Sequence, residues 1–411
     1  MNSQQYQETV PSFYKYQVWI FKFLGVWKIS PKATKKFRLI HKLYFCHILF
    51  FWVLLFDITQ FIEFITNIAN INEVVKIFFI FATMLAALAK FNTIKMKNKQ
   101  YQELIENIHQ QPMFRPENAS EVQLLMQSVQ LSRRVRNSYG LISLCALNAI
   151  FVPQYVVDNT QLPLSAYTPF SLEKKWRYNL VCQLRFDNYG YSLSPLRQPY
   201  KSTLNIAFDS ISASLLIFTM GQLDILNDRI RHLDIRSQGE DNETIYLKLQ
   251  KCVLNHGQIL KLANMIEDKL KFPVSIQIFC SILVLIANFY AMALVSGALV
   301  ANGTILILFT LLSWSLQLTQ PGDYSSFFKF LIYQICMLSQ IFMLCFYANE
   351  VTLKSSQLSY ALYTTNWITW NRPNRKFLLL MMLQFDTPIR IRGIIKNYSF
   401  NLASFTSFTN S

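Results

Sequence analysis

Charge is scarce in this chain. Only 15% of its 411 residues are Asp, Glu, Lys or Arg, while 52% are hydrophobic, and a soluble multidomain protein does not have that balance. Glycine is scarce too, with ten in all, and none falls in a nucleotide-binding glycine motif. The five histidines (His41, His47, His109, His232 and His256) show no HExxH or other ligand spacing, so metal hydrolysis is not expected. The seven cysteines (Cys46, Cys145, Cys182, Cys252, Cys280, Cys336 and Cys345) form no CxxC pair and mostly sit inside apolar runs, which points to packing rather than disulfides or metal. No enzyme chemistry and no cofactor are expected. There is no internal repeat and no low-complexity segment, so residues 1–411 read as one unit.

The residues that are present describe a membrane protein. Mean hydropathy is positive, at +0.23, and apolar runs near 39–60, 73–91, 138–157, 203–222, 273–297 and 325–347 approach the roughly 20 helical residues that cross a hydrocarbon core. A seventh, amphipathic run closes the chain. The expected fold is therefore all-α: a polytopic bundle of seven transmembrane helices.

The excess of 39 basic over 23 acidic residues, +16 in all, sits on no nucleic-acid motif. It fits cytoplasmic loops facing anionic lipid, so membrane lipid is expected as a partner and nucleic acid is not. Lys and Arg concentrate in 1–42, 92–137, 223–272 and 349–397 and are absent from 61–72 and 298–324, which places the first four segments in the cytoplasm and the last two outside. The segment 158–202 reads as an outer loop despite six basic residues, because a long loop constrains orientation weakly. Pro273–Gly322 runs 50 residues without a charge. It reads as one span plus an outer hydrophobic excursion at 304–318, since two crossings would put 349–397 outside.

No cleavable signal peptide opens the chain, so residues 1–38 are expected to stay cytoplasmic. Phe13, Tyr16, Ile20, Phe23, Leu24 and Trp27 recur there at helical spacing opposite Lys15, Lys22 and Lys28. Such a helix either lies in the inner interface or packs on the protein's own loops. Asn302-Gly303-Thr304 is the best-placed external glycosylation sequon, since those at Asn118 and Asn242 fall on cytoplasmic segments.

One stretch carries a family resemblance. It reads Gln340-Ile-Phe-Met-Leu-Cys345-Phe-Tyr-Ala-Asn349-Glu350, then Ser355-Ser356, Ala361, Tyr363, Trp367 and Pro388. It resembles the C-terminal signature of insect odorant receptors, which usually have Gly at the position of Ala348. Leu162-Pro-Leu-Ser-Ala-Tyr-Thr-Pro-Phe170, Asn205, Asp209 and Gly221-Gln222-Leu223 resemble the same family. The resemblance covers most of the chain. It implies a seven-span subunit, with spans one to six over 39–347, a cytoplasmic anchor over 348–393 and a pore helix over 394–411. The resemblance further implies that four such subunits surround one cation pore in the plasma membrane of olfactory sensory neurons, in a heterotetramer with an odorant co-receptor subunit, and that small volatile odorants open it. Segments near 184–201 and 298–318 look inserted relative to the family's spacing, and its pore helix usually runs further than 394–411.

Odorants are small and mostly apolar, so their site needs aromatic and aliphatic walls with few polar anchors. The resemblance puts that site in the outer halves of spans two, three, four and six. Phe78, Phe81, Phe151, Tyr155, Ile206, Ser210 and Tyr333 are the candidates there, each weighed against ordinary helix packing or lipid contact. Tyr363 and Trp367 are expected in the anchor where subunits meet, or as plain interfacial aromatics. Asn401 and Phe405 are expected on opposite faces of the terminal helix, where Ile391, Tyr398, Leu402, Phe405 and Phe408 make an apolar stripe. Asp57, Asp209 and Glu350 are ionisable groups in or near spans. Asp209, in a run with Ser210, Ser212 and Ser214, is expected to bond neighbouring helices or to line a vestibule. A gustatory-type or G-protein-coupled chemosensory receptor is the alternative. Against the latter, charge bias puts the N-terminus inside, and neither Asp-Arg-Tyr after span three nor a closing Asn-Pro-x-x-Tyr is found.

Overall fold

In a computed structural model of the chain, the described residues are 3–28, 34–48, 50, 55–69, 71–156, 200–236, 242–296, 324–394, 398–404 and 406. The expectations on 162–170, on the inserted segments at 184–199 and 298–318, and on the Asn302 sequon lie outside them.

Eleven α-helices run through the described residues: α1 Ser3–Thr9, α2 Lys15–Phe23, α3 Lys35–Ile48, α4 Leu55–Thr66, α5 Ile71–Met96, α6 Asn98–Gln110, α7 Ala119–Val156, α8 Tyr200–Arg236, α9 Asn242–Ser296, α10 Tyr324–Tyr363 and α11 Arg372–Phe385. The six apolar runs lie in α3 with α4, then in α5, α7, α8, α9 and α10. The helices outrun the runs that announced them. At about 1.5 Å per residue, the 55 residues of α9 extend roughly 80 Å, far beyond a hydrocarbon core of roughly 30 Å. Pro273 lies inside α9, where its missing N–H frees a carbonyl, and here it marks the boundary between the charged and apolar parts of the helix.

The bundle is built around α8. By length and composition, Ser202–Leu233 is one of two helices among the described residues able to cross a membrane, and 94% of its apolar window is buried. It packs against α2, α5, α7, α9 and α10. A helix enclosed on all sides can carry polar groups, provided its neighbours bond them. Close approach to α7 depends on Gly221, where an added Cβ would stand 2.4 Å from Ser128 Oγ and 3.0 Å from Ser128 Cβ.

The segments read as cytoplasmic from their basic residues meet at one end. Lys97 pairs with Asp268 at 2.8 Å, Arg229 with Glu121 at 2.9 Å, and Lys354 with Asp224 at 2.6 Å. Arg229 also donates to the carbonyls of Met113 and Arg115, clamping the turn between α6 and α7. Burial works against the Asp268 carboxylate, but hydrogen bonds from Lys97, Lys271 and Lys269 outweigh it and hold this group below the usual carboxylate range. The N-terminal segment joins the same end. Pro11 opens a 3-10 turn, Val10–Phe13, that separates α1 from α2. Tyr6 OH donates to the Ile108 carbonyl at 3.1 Å, and Phe13 meets Phe218 edge-on at 5.3 Å. Glycine closes α2 because the chain turns left-handed there: Gly25 has φ 72°, and Val26 N bonds Phe21 O while Gly25 N bonds Lys22 O, a Schellman ending. One face of α2 packs on α8 rather than on loops. The other exposes Tyr16, Trp19 and Phe23, which stack in series.

The C-terminal helix expected over 394–411 is corrected at its start. Gly393 N bonds Tyr398 O and Phe400 N bonds Ile391 O, both at 2.9 Å, so the chain doubles back in an antiparallel bridge between Arg392 and Ser399. Ile391 and Tyr398 therefore do not share a helical stripe. The physical reason is local: Ser275 Oγ on α9 accepts Ile394 N at 3.1 Å, and glycine at 393 disfavours helix. Among the described residues, helix resumes only at Leu402.

Candidate functional site

Four spans converge on buried charge. Lys90 of α5 and Asp209 of α8, both 0% exposed, pair at 2.6 Å. Tyr139 of α7 donates its hydroxyl to the other Asp209 oxygen at 3.0 Å, and Lys90 donates also to Asn205 Oδ1. One turn further along α7 from Tyr139, Ser143 lies 3.7 Å from Cys336 Sγ of α10. Among the described residues this is the one ion pair within the expected spans. An ammonium and a carboxylate without water are tolerable only when paired and further hydrogen-bonded, and each of these two has a second partner. The arrangement can fix α5, α7 and α8 in one register; it holds no nucleophile beside a base.

A second polar layer adjoins it. Gln277 of α9 donates to Gln340 of α10 at 2.9 Å, while Ser132 of α7 donates to Ser214 of α8 at 2.9 Å and Gln17 of α2 reaches the same Ser214 at 3.4 Å. On α5, Phe78 precedes Lys90 by twelve residues, roughly 18 Å of helix. Phe78 thus lies on the outer side of the charged cluster, while Ile206 and Ser210 are next to Asn205 and Asp209 at its level.

The chain matches the family described as 7tm Odorant receptor over residues 70–319 and 312–411. It is 35% identical over 404 residues to Odorant receptor 46a, isoform A, of Drosophila melanogaster, covering 98% of this chain and 95% of that protein. The chain belongs to the odorant receptor family. Odorant receptor 94a of the same fly is 22% identical over 326 residues, 79% of this chain and 75% of its own length. In fold, this odorant receptor is similar to the insect olfactory receptor OR5 from Machilis hrabei, with a TM-score of 0.75 over 96% of this chain and 93% of that one at 14% identity. It is similar also to that receptor in complex with eugenol, with a TM-score of 0.73 over 98% and 96% at 15% identity. The protein is a membrane-embedded, seven-span receptor and not an enzyme, and membership in this family sets the gustatory and G-protein-coupled alternatives aside.

In this receptor the expected site residues fall in three groups. Ile206 is half-buried and Ser210 buried on α8, and the Ser210 hydroxyl is among the buried polar atoms without a hydrogen-bond partner. Phe81 is half-buried, but it stacks on Phe64 at 5.9 Å and lies 6.1 Å from Phe61, so its ring is taken up by the α4–α5 contact. The positions of Phe78, Phe151, Tyr155 and Tyr333 are on α5, α7 and α10, and their side chains, like Phe405, lie outside the description. In the anchor, Tyr363 is 60% exposed at the end of α10, and half-buried Trp367 donates Nε1 to its carbonyl. Asn401 caps the short terminal helix, its Oδ1 accepting Ser404 N at 2.7 Å. The signature residue Ser355 is a structural tie: its hydroxyl oxygen accepts Ile389 N at 2.9 Å, pinning the strand after Pro388 to α10. Asp209 bonds neighbouring helices, as one of its two readings had it. Lys90 was missed, and its signal was available: a basic residue inside one span and an acid inside another call for each other in lipid.

Proposed function

We propose that this receptor is the odorant-tuned subunit of a ligand-gated, non-selective cation channel, completed by an odorant co-receptor subunit as a heterotetramer in the plasma membrane of olfactory sensory neurons. The observation that carries the reading is the likeness to odorant receptors along nearly the whole chain. Its ligands are small, mostly apolar volatiles held in the outer bundle by Phe78, Phe151, Tyr155, Ile206, Ser210 and Tyr333, with Phe81 at the margin; the eugenol complex of a relative of similar fold supports that ligand class. Tyr363 and Trp367 serve the anchor, and Asn401 with Phe405 begins the pore segment. Ligand binding opens the channel to the extent that the open state binds it more tightly.

The experiment is current recording from cells expressing this chain, the co-receptor, or both, against an odorant panel at matched surface expression. Odorant-evoked current is expected with both. Robust current from this chain alone would remove the co-receptor from the reading, and a surface-expressed pair silent to the whole panel would remove the channel.

A further inference from the structure

Beside the charged cluster, α5, α8, α9 and α10 enclose a small cavity in which Ala86, Cys280 and Met337 meet the polar side chains of Thr83, Asn205, Gln277, Ser281 and Gln340. Its space for the centre of a water-sized sphere is about 10 Å³, close to the roughly 10–15 Å³ that one water needs. Two of its lining atoms, Gln277 Oε1 and Ser281 Oγ, are buried without a hydrogen-bond partner, on residues only 2% and 5% exposed. Gln277 spends its amide N–H on Gln340, so its oxygen can only accept. Asn205 takes the Lys90 ammonium on its oxygen, and its amide nitrogen keeps two N–H groups to give. The cavity therefore offers acceptors and donors around room for one oxygen atom. An apolar occupant would leave two buried polar atoms unmet, which is costly.

We propose that this cavity is a binding site for a single hydroxyl group, one that donates to Gln277 Oε1 and bonds Ser281 Oγ. That hydroxyl comes from an immobilised water or from an alcohol or phenol ligand reaching down from the outer pocket. When filled, it joins α9 to α8 and, through Asn205, Lys90, Asp209 and Tyr139, to α5 and α7, so that one chain of hydrogen bonds crosses the bundle at the level of Ile206 and Ser210. The inference rests on the helix packing; only the identification of the hydroxyl's source uses the channel reading.

The test is an isosteric pair in the full chain, Ala86→Thr and Ala86→Val, with thermal melting of the solubilised protein followed by fluorescence-detected chromatography. Both side chains enter the cavity and displace its occupant, and only threonine brings a hydroxyl. The valine variant is expected to melt several degrees below the threonine variant; valine melting level with threonine or above it overturns the proposal. Ser281→Ala adds no bulk and covers the case in which neither larger side chain is accepted. If the serine hydroxyl has a bound partner, alanine lowers the melting temperature; if the cavity is dry, alanine removes an unmet polar group and raises it, which also overturns the proposal.

The source is then read from currents evoked by 1-hexanol and by its methyl ether, in the native receptor and in Ala86→Val with co-receptor. A ligand hydroxyl in the cavity predicts that valine shrinks the preference for the alcohol by about tenfold, the worth of one hydrogen bond. A water there predicts an unchanged preference beside the same gap in melting. The melting measurements need neither agonist nor co-receptor, so a silent channel defeats the channel reading and leaves this one standing.

Discussion

Replacing Lys90 by methionine keeps the length of the side chain and removes its charge, leaving Asp209 at 0% exposure with only the Tyr139 hydroxyl. At 2.6 Å and an effective dielectric of about 20, the pair attracts by roughly 6 kcal/mol before the cost of taking two ions out of water is counted. That cost is several kcal/mol per ion, so the net worth of the pair is small while the penalty for breaking it is large. Lys90→Met is therefore expected to lose about 3–5 kcal/mol, and Asp209→Leu a similar amount. The double variant Lys90→Met/Asp209→Leu leaves no buried charge. It still strands the Tyr139 hydroxyl and Asn205 Oδ1, at about 1–3 kcal/mol each if water cannot reach them, against a gain of about 1–4 kcal/mol from replacing the ions by apolar groups. It should melt well above either single variant. Surface-matched, detergent-solubilised protein followed by fluorescence-detected chromatography across a temperature series gives the ranking. If Lys90→Met melts with the native protein, or the double variant melts below both singles, the buried pair does not hold these helices.

Gly221→Ala drives a methyl group to within 2.4 Å of Ser128 Oγ and is expected to cost about 1–3 kcal/mol. Ser128→Gly in the same chain should restore most of the melting temperature, and failure of that rescue would refute the close approach of α7 and α8. His256, in the cytoplasmic part of α9, packs on the Phe385 ring at 4.1 Å, and burial pulls its imidazole down to about 4 from the ordinary 6.5. The unfolded chain thus takes up a proton on this ring that the folded one refuses. Stability is full above pH 6.5 and falls as pH drops toward 4, by up to about 3 kcal/mol from this group at about 1.4 kcal/mol per unit. His256→Phe should flatten the melting profile in that window, and an unchanged slope would count against the assignment.

Much of the bundle could be read from residue order alone, because crossing a bilayer demands long apolar runs and the basic residues fall on one side of them. What could not be read is where helices continue after the bilayer ends. The runs marked 273–297 as a span, but α9 begins at Asn242, since a polar helical stretch is held by contacts with α6 and α11 that leave no apolar signature. Lys90 hid for the opposite reason: twenty-six residues of mostly apolar α5 absorb one charge without breaking the run. Phe81 shows the limit for ligand sites. An aromatic ring facing its own bundle and one facing a ligand are the same letter, and the sequence gives no sign that Phe81 meets the rings of Phe61 and Phe64. At the C-terminus an apolar period of three to four suggested a helix from Ile394, whereas Ser275, more than a hundred positions earlier, supplies the hydrogen bond that turns the chain back.

The distance in sequence between Lys90 and Asp209, 119 residues, sets the order of events during synthesis. At about 5–20 residues per second, α5 enters the membrane with its ammonium unmatched for roughly 6–24 s before the carboxylate of α8 leaves the ribosome. α8 brings an acid that is costly in lipid without a partner. Neither helix is at home in lipid by itself. A chain truncated before Asp209 would leave Lys90 without the carboxylate that pairs with it.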